Sequence, residues 1–230
     1  MTIDINVSDW KAVLDSVKAY RSDATITIAD GKAKIMEVDD TKTNMIYAEI
    51  PCEGEGTFSV DLEKFSKALS AAGKDSALDL DNIEEGFLRI EGTARIKFPL
   101  ITKEGAVKWP EKFLKPTASC DMSPAQLDPV LSYAQFCSQG VIKFVIGDTR
   151  MNIQIGEEPN LSEITSLSTA TGESSSAFSL PLIQTIIKLA KGLEAVTVGG
   201  FGDNMPMTFS WLNGSASVCV LVAPRIEDEI

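Results

Sequence analysis

A chain of 230 residues, 44% hydrophobic and 23% charged, has an ordinary globular composition, which excludes wholesale disorder. It carries 33 acidic against 21 basic residues, a formal net charge of -12, and a surface uniformly of that sign would repel nucleic acid, lipid headgroups and other anions. Histidine is absent, which removes imidazole bases, Ser-His-Asp and Cys-His pairs and nearly every zinc or iron site made of side chains, so no metal and no cofactor is expected. No run of about 18 apolar residues is present to span a membrane. Met1–Val7 carries Asp4 and no basic residue before an apolar stretch, so no secretory leader is expected. None of Cys52, Cys120, Cys137 and Cys219 stands in a C-x-x-C pair; they read as buried thiols, not disulfides or ligands.

In chain order, Ser8 stands as an N-cap before Trp10, Val13, Leu14 and Val17 at helical spacing, which predicts a helix over Val7–Arg21 with Lys11 and Lys18 on its other side. Ala24–Val38 alternates apolar and polar residues around Asp30-Gly31, a hairpin signature. Asn44–Ile50 and Gly56–Val60 read as strands, and Asp61–Gly73 as a second amphipathic helix closed by Gly73. Ser76–Leu80, Phe87–Ile90 and Ala94–Ile101 are further strands. Thr102–Ala118 keeps neither period and holds Gly105, Pro110, Pro116 and four lysines; it reads as an extended linker displaying Trp109 and Phe113. The pattern then resumes. Pro124–Phe136 suggests a helix interrupted or entered late at Pro129. Val141–Ile155 reads as a hairpin around Gly147-Asp148, and a helix runs on from Phe178-Ser179-Leu180 through Leu193. Ala195–Val198, Met207–Trp211 and Ala216–Val222 read as strands, with a turn at Asn213-Gly214.

The halves align in order: residues 25–38 with 142–155, FSVDL (58–62) with FSLPL (178–182), and 92–100 with 214–222. This argues for a duplicated unit and an α+β fold of two domains, each an antiparallel sheet with two helices on one face. The expected division is 1–101, a linker over 102–118, 119–224 and a tail of 225–230.

Catalysis would have to rest on carboxylates. Asp39-Asp40, Glu84-Glu85 and Glu157-Glu158 fall in predicted turns without a phosphate cradle, and Gly199-Gly200-x-Gly202 precedes a strand and reads as a turn. The chain is therefore expected not to be an enzyme. The basic minority is distributed unevenly. Lys11, Lys18, Arg21, Lys64, Lys67, Lys74, Lys188 and Lys191 lie in or beside predicted helices whose apolar faces must lie on the sheets. Such a face would touch phosphates without reading bases, since lysine is a point charge and not a bidentate fork.

The ending Val222-Ala223-Pro224-Arg225-Ile226-Glu227 resembles the C-terminal signature of archaeal and eukaryotic sliding clamps, the proliferating-cell-nuclear-antigen (PCNA) family. Asn204-Met205-Pro206-Met207 resembles that family's step before its penultimate strands, and Val38-Asp39-Asp40-Thr41 with Met45 its loop after the first hairpin. The resemblance extends over essentially the whole chain. It implies a DNA clamp: three two-domain subunits closing head to tail, with the strand at Arg95–Ile101 pairing with an edge in Ser162–Ala170 of the neighbour. It implies that the helices line the hole and that the eight cations named above face double-stranded DNA without sequence preference. It implies further that DNA polymerase and other partners insert a peptide with an aromatic plug. The pocket carried over would use Val38, Thr43, Met45, Trp109, Phe113, Pro206, Leu221, Val222, Ala223 and Pro224, with Ala223, Pro224, Arg225 and Ile226 offering backbone hydrogen bonds. A separate ATP-driven clamp loader would open the ring. The expected setting is cytoplasmic and nucleoid-associated in an archaeon or its virus, nuclear in a eukaryote. The alternatives are a subunit of a heteromeric or checkpoint-type clamp, or a decoy of the same fold that forms no ring.

Overall fold

The computed structural model describes residues 1–103, 107–113, 115–126, 140–147, 149–155, 162–165 and 169–225. They fall into two compact units, Met1–Trp109 with Leu212–Val218, and Pro110–Trp211 with Cys219–Ile230.

The first unit opens with strand β1 (Thr2–Asn6), too short to be read from the sequence, and runs directly into helix α1 (Val7–Lys18). The Asn6 side chain caps that helix, accepting from the N–H groups of Ser8 and Asp9 at 3.0 and 3.4 Å. The expected cap, Ser8, already lies inside the first turn, because the strand ends two residues earlier. Strands β2 (Asp23–Ala29) and β3 (Lys32–Val38) form the expected hairpin. Asp30 and Gly31 at its turn both have positive φ, 56° and 74°, as a two-residue turn matched to strand twist requires. There follow β4 (Asn44–Pro51), β5 (Gly56–Asp61), helix α2 (Leu62–Ala72), β6 (Asp75–Asp79), β7 (Phe87–Glu91) and β8 (Ile96–Pro99). Asp61 caps α2 through the Lys64 N–H at 2.9 Å, and Gly73 closes it at φ 96°. Two antiparallel sheets result, ordered β1-β6-β7-β8 and β4-β3-β2-β5. Both helices pack against strands of both sheets and against each other. Trp10, Phe58 and Phe98 surround Phe65 with ring centroids 5.2–6.2 Å away. Burial of such a side chain contributes about 1.5–3 kcal/mol, which holds the apolar helix faces inward and turns the lysines out.

The second unit repeats the plan. Its strands are β9 (Ala118–Met122), β10 (Val141–Ile146), β11 (Met151–Ile155), β12 (Ser162–Thr165), β13 (Ala170–Thr171), β14 (Ser174–Ser179) and β15 (Val196–Gly200), with helix α3 (Leu180–Leu189) after β14. Strands β16 (Met207–Asn213) and β17 (Ala216–Val222) complete the chain's hairpins. Order β12-β11-β10-β14 reproduces β4-β3-β2-β5, and β9-β15-β16 reproduces β1-β6-β7. Phe144, Phe178 and Phe209 pack edge to face at 5.4–6.4 Å. The fold is therefore α+β and duplicated.

Four details differ from the sequence reading. Helix α3 ends at Leu189, not Leu193. The last hairpin turns at Gly214-Ser215, not Asn213-Gly214, because Gly214 supplies the positive φ of 61°. Gly199 and Gly200 end a strand and do not form a turn; a Cβ there would lie 2.5 Å from Thr208 Oγ1 and 2.4 Å from Ser174. Residue 118, read as linker, opens β9. The expected helix over Pro124–Phe136 lies outside the described residues beyond a single 3-10 turn at Pro124–Gln126. Cys52 and Cys120 are buried, Cys219 is half-buried, and none of the three forms a disulfide; Cys137 and Glu157-Glu158 lie outside the described residues.

Candidate nucleic-acid and partner-docking surfaces

The helix spacing that buries Val13, Leu14 and Val17 leaves Lys11 half-exposed and Lys18 exposed on α1. Lys64 and Lys67 are exposed on α2, Lys74 follows its cap, and Lys188 and Lys191 are exposed at the end of α3. Every expected cation is thus at a surface, yet four of the five on or near α1 and α2 other than Lys74 are already engaged. Lys18 Nζ lies 2.7 Å from Asp15, Lys64 Nζ 3.2 Å from Asp61, and Lys67 Nζ 2.6 Å from Glu63. Arg21 forks between Asp23, at 3.2 Å, and Asp40. Lys18, Arg21 and Lys67 line, with Asp61, Glu63 and Ser66, a cleft of about 460 Å³. The Lys67 hydrogen bond and charge hold the Glu63 carboxyl below its ordinary range, and Glu63 raises Lys67 in return. The Lys64 N–H does the same for Asp61. Sequence reasoning found the cations and missed these acids, although the i,i+3 and i,i+4 spacing was visible.

The residues expected to receive a partner peptide divide between the units. In the first, Val38 pairs with Met45 across β3 and β4, and Met36 with Tyr47. Alternation places these four side chains on one half-exposed face, and the Trp109 ring lies against Tyr47 at 5.8 Å. Tyr47 and Met36 were not anticipated; Trp109 was. Thr43 serves the loop. Asp39 accepts from the Thr43 and Asn44 N–H groups at 2.8 and 3.1 Å and from the Thr41, Thr43 and Asn44 side chains at 2.8–2.9 Å. Partial burial pushes its carboxyl up, and these bonds, led by those from Asn44, overcome that and hold it below the usual range.

In the second unit Phe113 is not on display. It is 8% exposed and packs on Phe201 at 5.0 Å, which corrects the linker reading. Pro206, Ala223 and Pro224 are half-buried; Leu221 and Val222 are core residues of β17. The Arg225 N–H already donates to the Ala177 carbonyl at 2.7 Å, so that donor is not open to a peptide. Ile226 lies outside the described residues. Among the described residues no group of three or more His, Cys, Asp or Glu side chains is placed to hold a metal ion, and no helix is long and apolar enough to cross a membrane.

No protein-family model matches the chain. Among curated proteins it is 26% identical to the DNA polymerase sliding clamp of Methanocella arvoryzae, over 98% of both chains. It is 25% identical to that of Pyrococcus abyssi, over 85% of this chain and 83% of the relative. The chain is thus similar, over 85–98% of its length, to archaeal DNA polymerase sliding clamps. Solved structures show the same fold. A. fulgidus PCNA, bound to the C-terminal region of FEN-1, superposes with a TM-score of 0.81 at 20% identity over 99% of each chain. A PCNA2–PCNA3 complex from Sulfolobus tokodaii gives 0.75 at 18% identity, over 99% of this chain and 100% of the other.

Proposed function

We propose that this sliding clamp acts as a processivity factor: a homotrimeric ring that encircles duplex DNA, tethers DNA polymerase and other replication and repair enzymes, and performs no chemistry itself. The observation that supports the ring is that β8 and β12 are both terminal strands of their sheets. Strand β8 ends the β1-β6-β7-β8 sheet and β12 ends the β12-β11-β10-β14 sheet, with no further strand beside either among the described residues. An open edge invites pairing, and a head-to-tail contact between unlike edges closes into a ring when the rotation allows. The helix faces, with their lysines, turn toward the duplex and touch phosphates only. Partner peptides dock an aromatic plug against the face of Met36, Val38, Met45, Tyr47 and Trp109. The C-terminal region of FEN-1 bound to the A. fulgidus protein supports docking of a partner's C-terminal region. A separate ATP-driven loader opens the ring, in the cytoplasm at the nucleoid. The proposed domain division places a linker over 102–117 between 1–101 and a second domain that opens with β9 at residue 118 and runs to 224, with 225–230 as a tail.

Light scattering across protein concentration and salt tests the assembly. A mass near three times 24.8 kDa is expected, and a monomer throughout would reject the homotrimer. A second reading, a subunit of a mixed ring, is favoured by the likeness to a complex of two different clamp chains. It would show a ring mass only after mixing with other clamp chains.

A further inference from the structure

The eight surface cations are not equivalent. On α1 and α2 each of Lys18, Lys64 and Lys67 has an acid three or four residues before it, at 2.7, 3.2 and 2.6 Å. Acid before base is the favourable order along a helix, since each charge then complements the helix dipole. Helix α3, LPLIQTIIKL, contains no carboxylate, and Lys188 and Lys191 are exposed and form no ion pair among the described residues. A phosphate approaching Lys18, Lys64 or Lys67 must displace a carboxylate that already occupies the ammonium, and that carboxylate then repels it. A phosphate approaching Lys188 or Lys191 meets a cation with no carboxylate to displace among the described residues.

We propose that duplex contact is unequally shared: Lys188 and Lys191 carry more of it than Lys18, Lys64 and Lys67, whose ammonium groups Asp15, Asp61 and Glu63 occupy as internal stand-ins for phosphate, which keeps the grip of those three weak. This rests on the reading that the helix faces meet DNA. The arrangement suits a protein that must hold duplex without stopping on it, because each exposed ion pair is individually weak and exchanges easily with a passing phosphate.

The test is the salt dependence of binding to a fluorescent duplex, followed by anisotropy with the full chain in its assembled state. Counterion release makes the slope of log affinity against log salt about 0.9 for each phosphate neutralised. Lys188→Gln with Lys191→Gln is expected to weaken binding several-fold more than Lys64→Gln with Lys67→Gln and to flatten the slope further. Asp15→Asn, Asp61→Asn and Glu63→Gln together are expected to tighten binding by roughly tenfold at low salt, as three weak pairs are released, and to steepen the slope. Asparagine at position 61 keeps the cap of α2, and an unchanged melting temperature would verify the fold. Equal losses from the two lysine pairs, or no gain from the acid variant, would overturn the inference while leaving the DNA-facing surface intact. No loss from either lysine pair would remove that surface and the inference with it.

Discussion

Glu37 sits almost wholly buried on β3, with one oxygen accepting the Thr25 N–H at 2.9 Å and the other meeting Lys103 Nζ at 2.6 Å. Lys103 also reaches Asp23 at 3.5 Å, and its side chain is 14% exposed. It fastens the start of the segment that carries Trp109 to the sheet. Removing one member of a buried pair leaves the other charged and desolvated, which costs about 3–5 kcal/mol, whereas removing both charges costs far less. Lys103→Met should therefore lower the urea midpoint strongly. Adding Glu37→Gln, which keeps an acceptor for Thr25, should restore most of it. Equal midpoints for the single and double variants would show that the charge of Glu37 is not what Lys103 satisfies. This pair was invisible in the sequence, because its members lie 66 residues apart with no local period to connect them. The pairs at 15/18, 61/64 and 63/67 were legible, since helical spacing alone sets them.

Among the elements, those with local signals were readable and those made by distant pairing were not. The β2–β3 hairpin is announced by Asp30-Gly31, and α2 by its cap Asp61 and its stop Gly73. Strand β9 is different: its inward residues include small ones, Ala118 and Cys120, so its apolar alternation is faint, and β15 and β13 on either side define it. Phe113 likewise looked displayed because the linker keeps no period; its burial depends on Phe201, which no local pattern announces. The face of β3 and β4 needed the register: Met36↔Tyr47 beside Val38↔Met45 makes an apolar strip that Trp109 extends. An aromatic anchor of this kind contributes about 1–3 kcal/mol to a docked peptide. Trp109→Ala should weaken a fluorescent partner peptide roughly 5- to 150-fold with the melting temperature held, and Tyr47→Ala should do so by a similar factor. Undiminished titrations for both would place docking elsewhere.

At the scale of the whole molecule, the repeat means that the proposed ring would need only one kind of contact to close. Strand β8 is a terminal strand of its sheet in the first unit, and β12 of its sheet in the second. If β8 of one subunit lies beside β12 of the next, a cysteine at Lys97, exposed on β8, must fall near alternate residues of β12 and away from those between. Four double variants test this: Lys97→Cys combined in turn with Ser162→Cys, Glu163→Cys, Ile164→Cys and Thr165→Cys. A disulfide forms where Cα atoms approach to about 4.4–6.8 Å, so mild oxidation should cross-link one or two of the four, alternate in sequence, and spare the rest. A closed ring would yield covalent species up to three times 24.8 kDa and stop there, whereas an open head-to-tail chain would continue beyond. Cys52 and Cys120 are buried, and burial with the neighbouring Glu53 pushes the Cys52 thiol up to about 11, so these two should give little background, and Cys137→Ser with Cys219→Ser in every variant removes the other two. Monomer in all four variants would place the subunit contact on other edges and leave β8 and β12 without a role in closure.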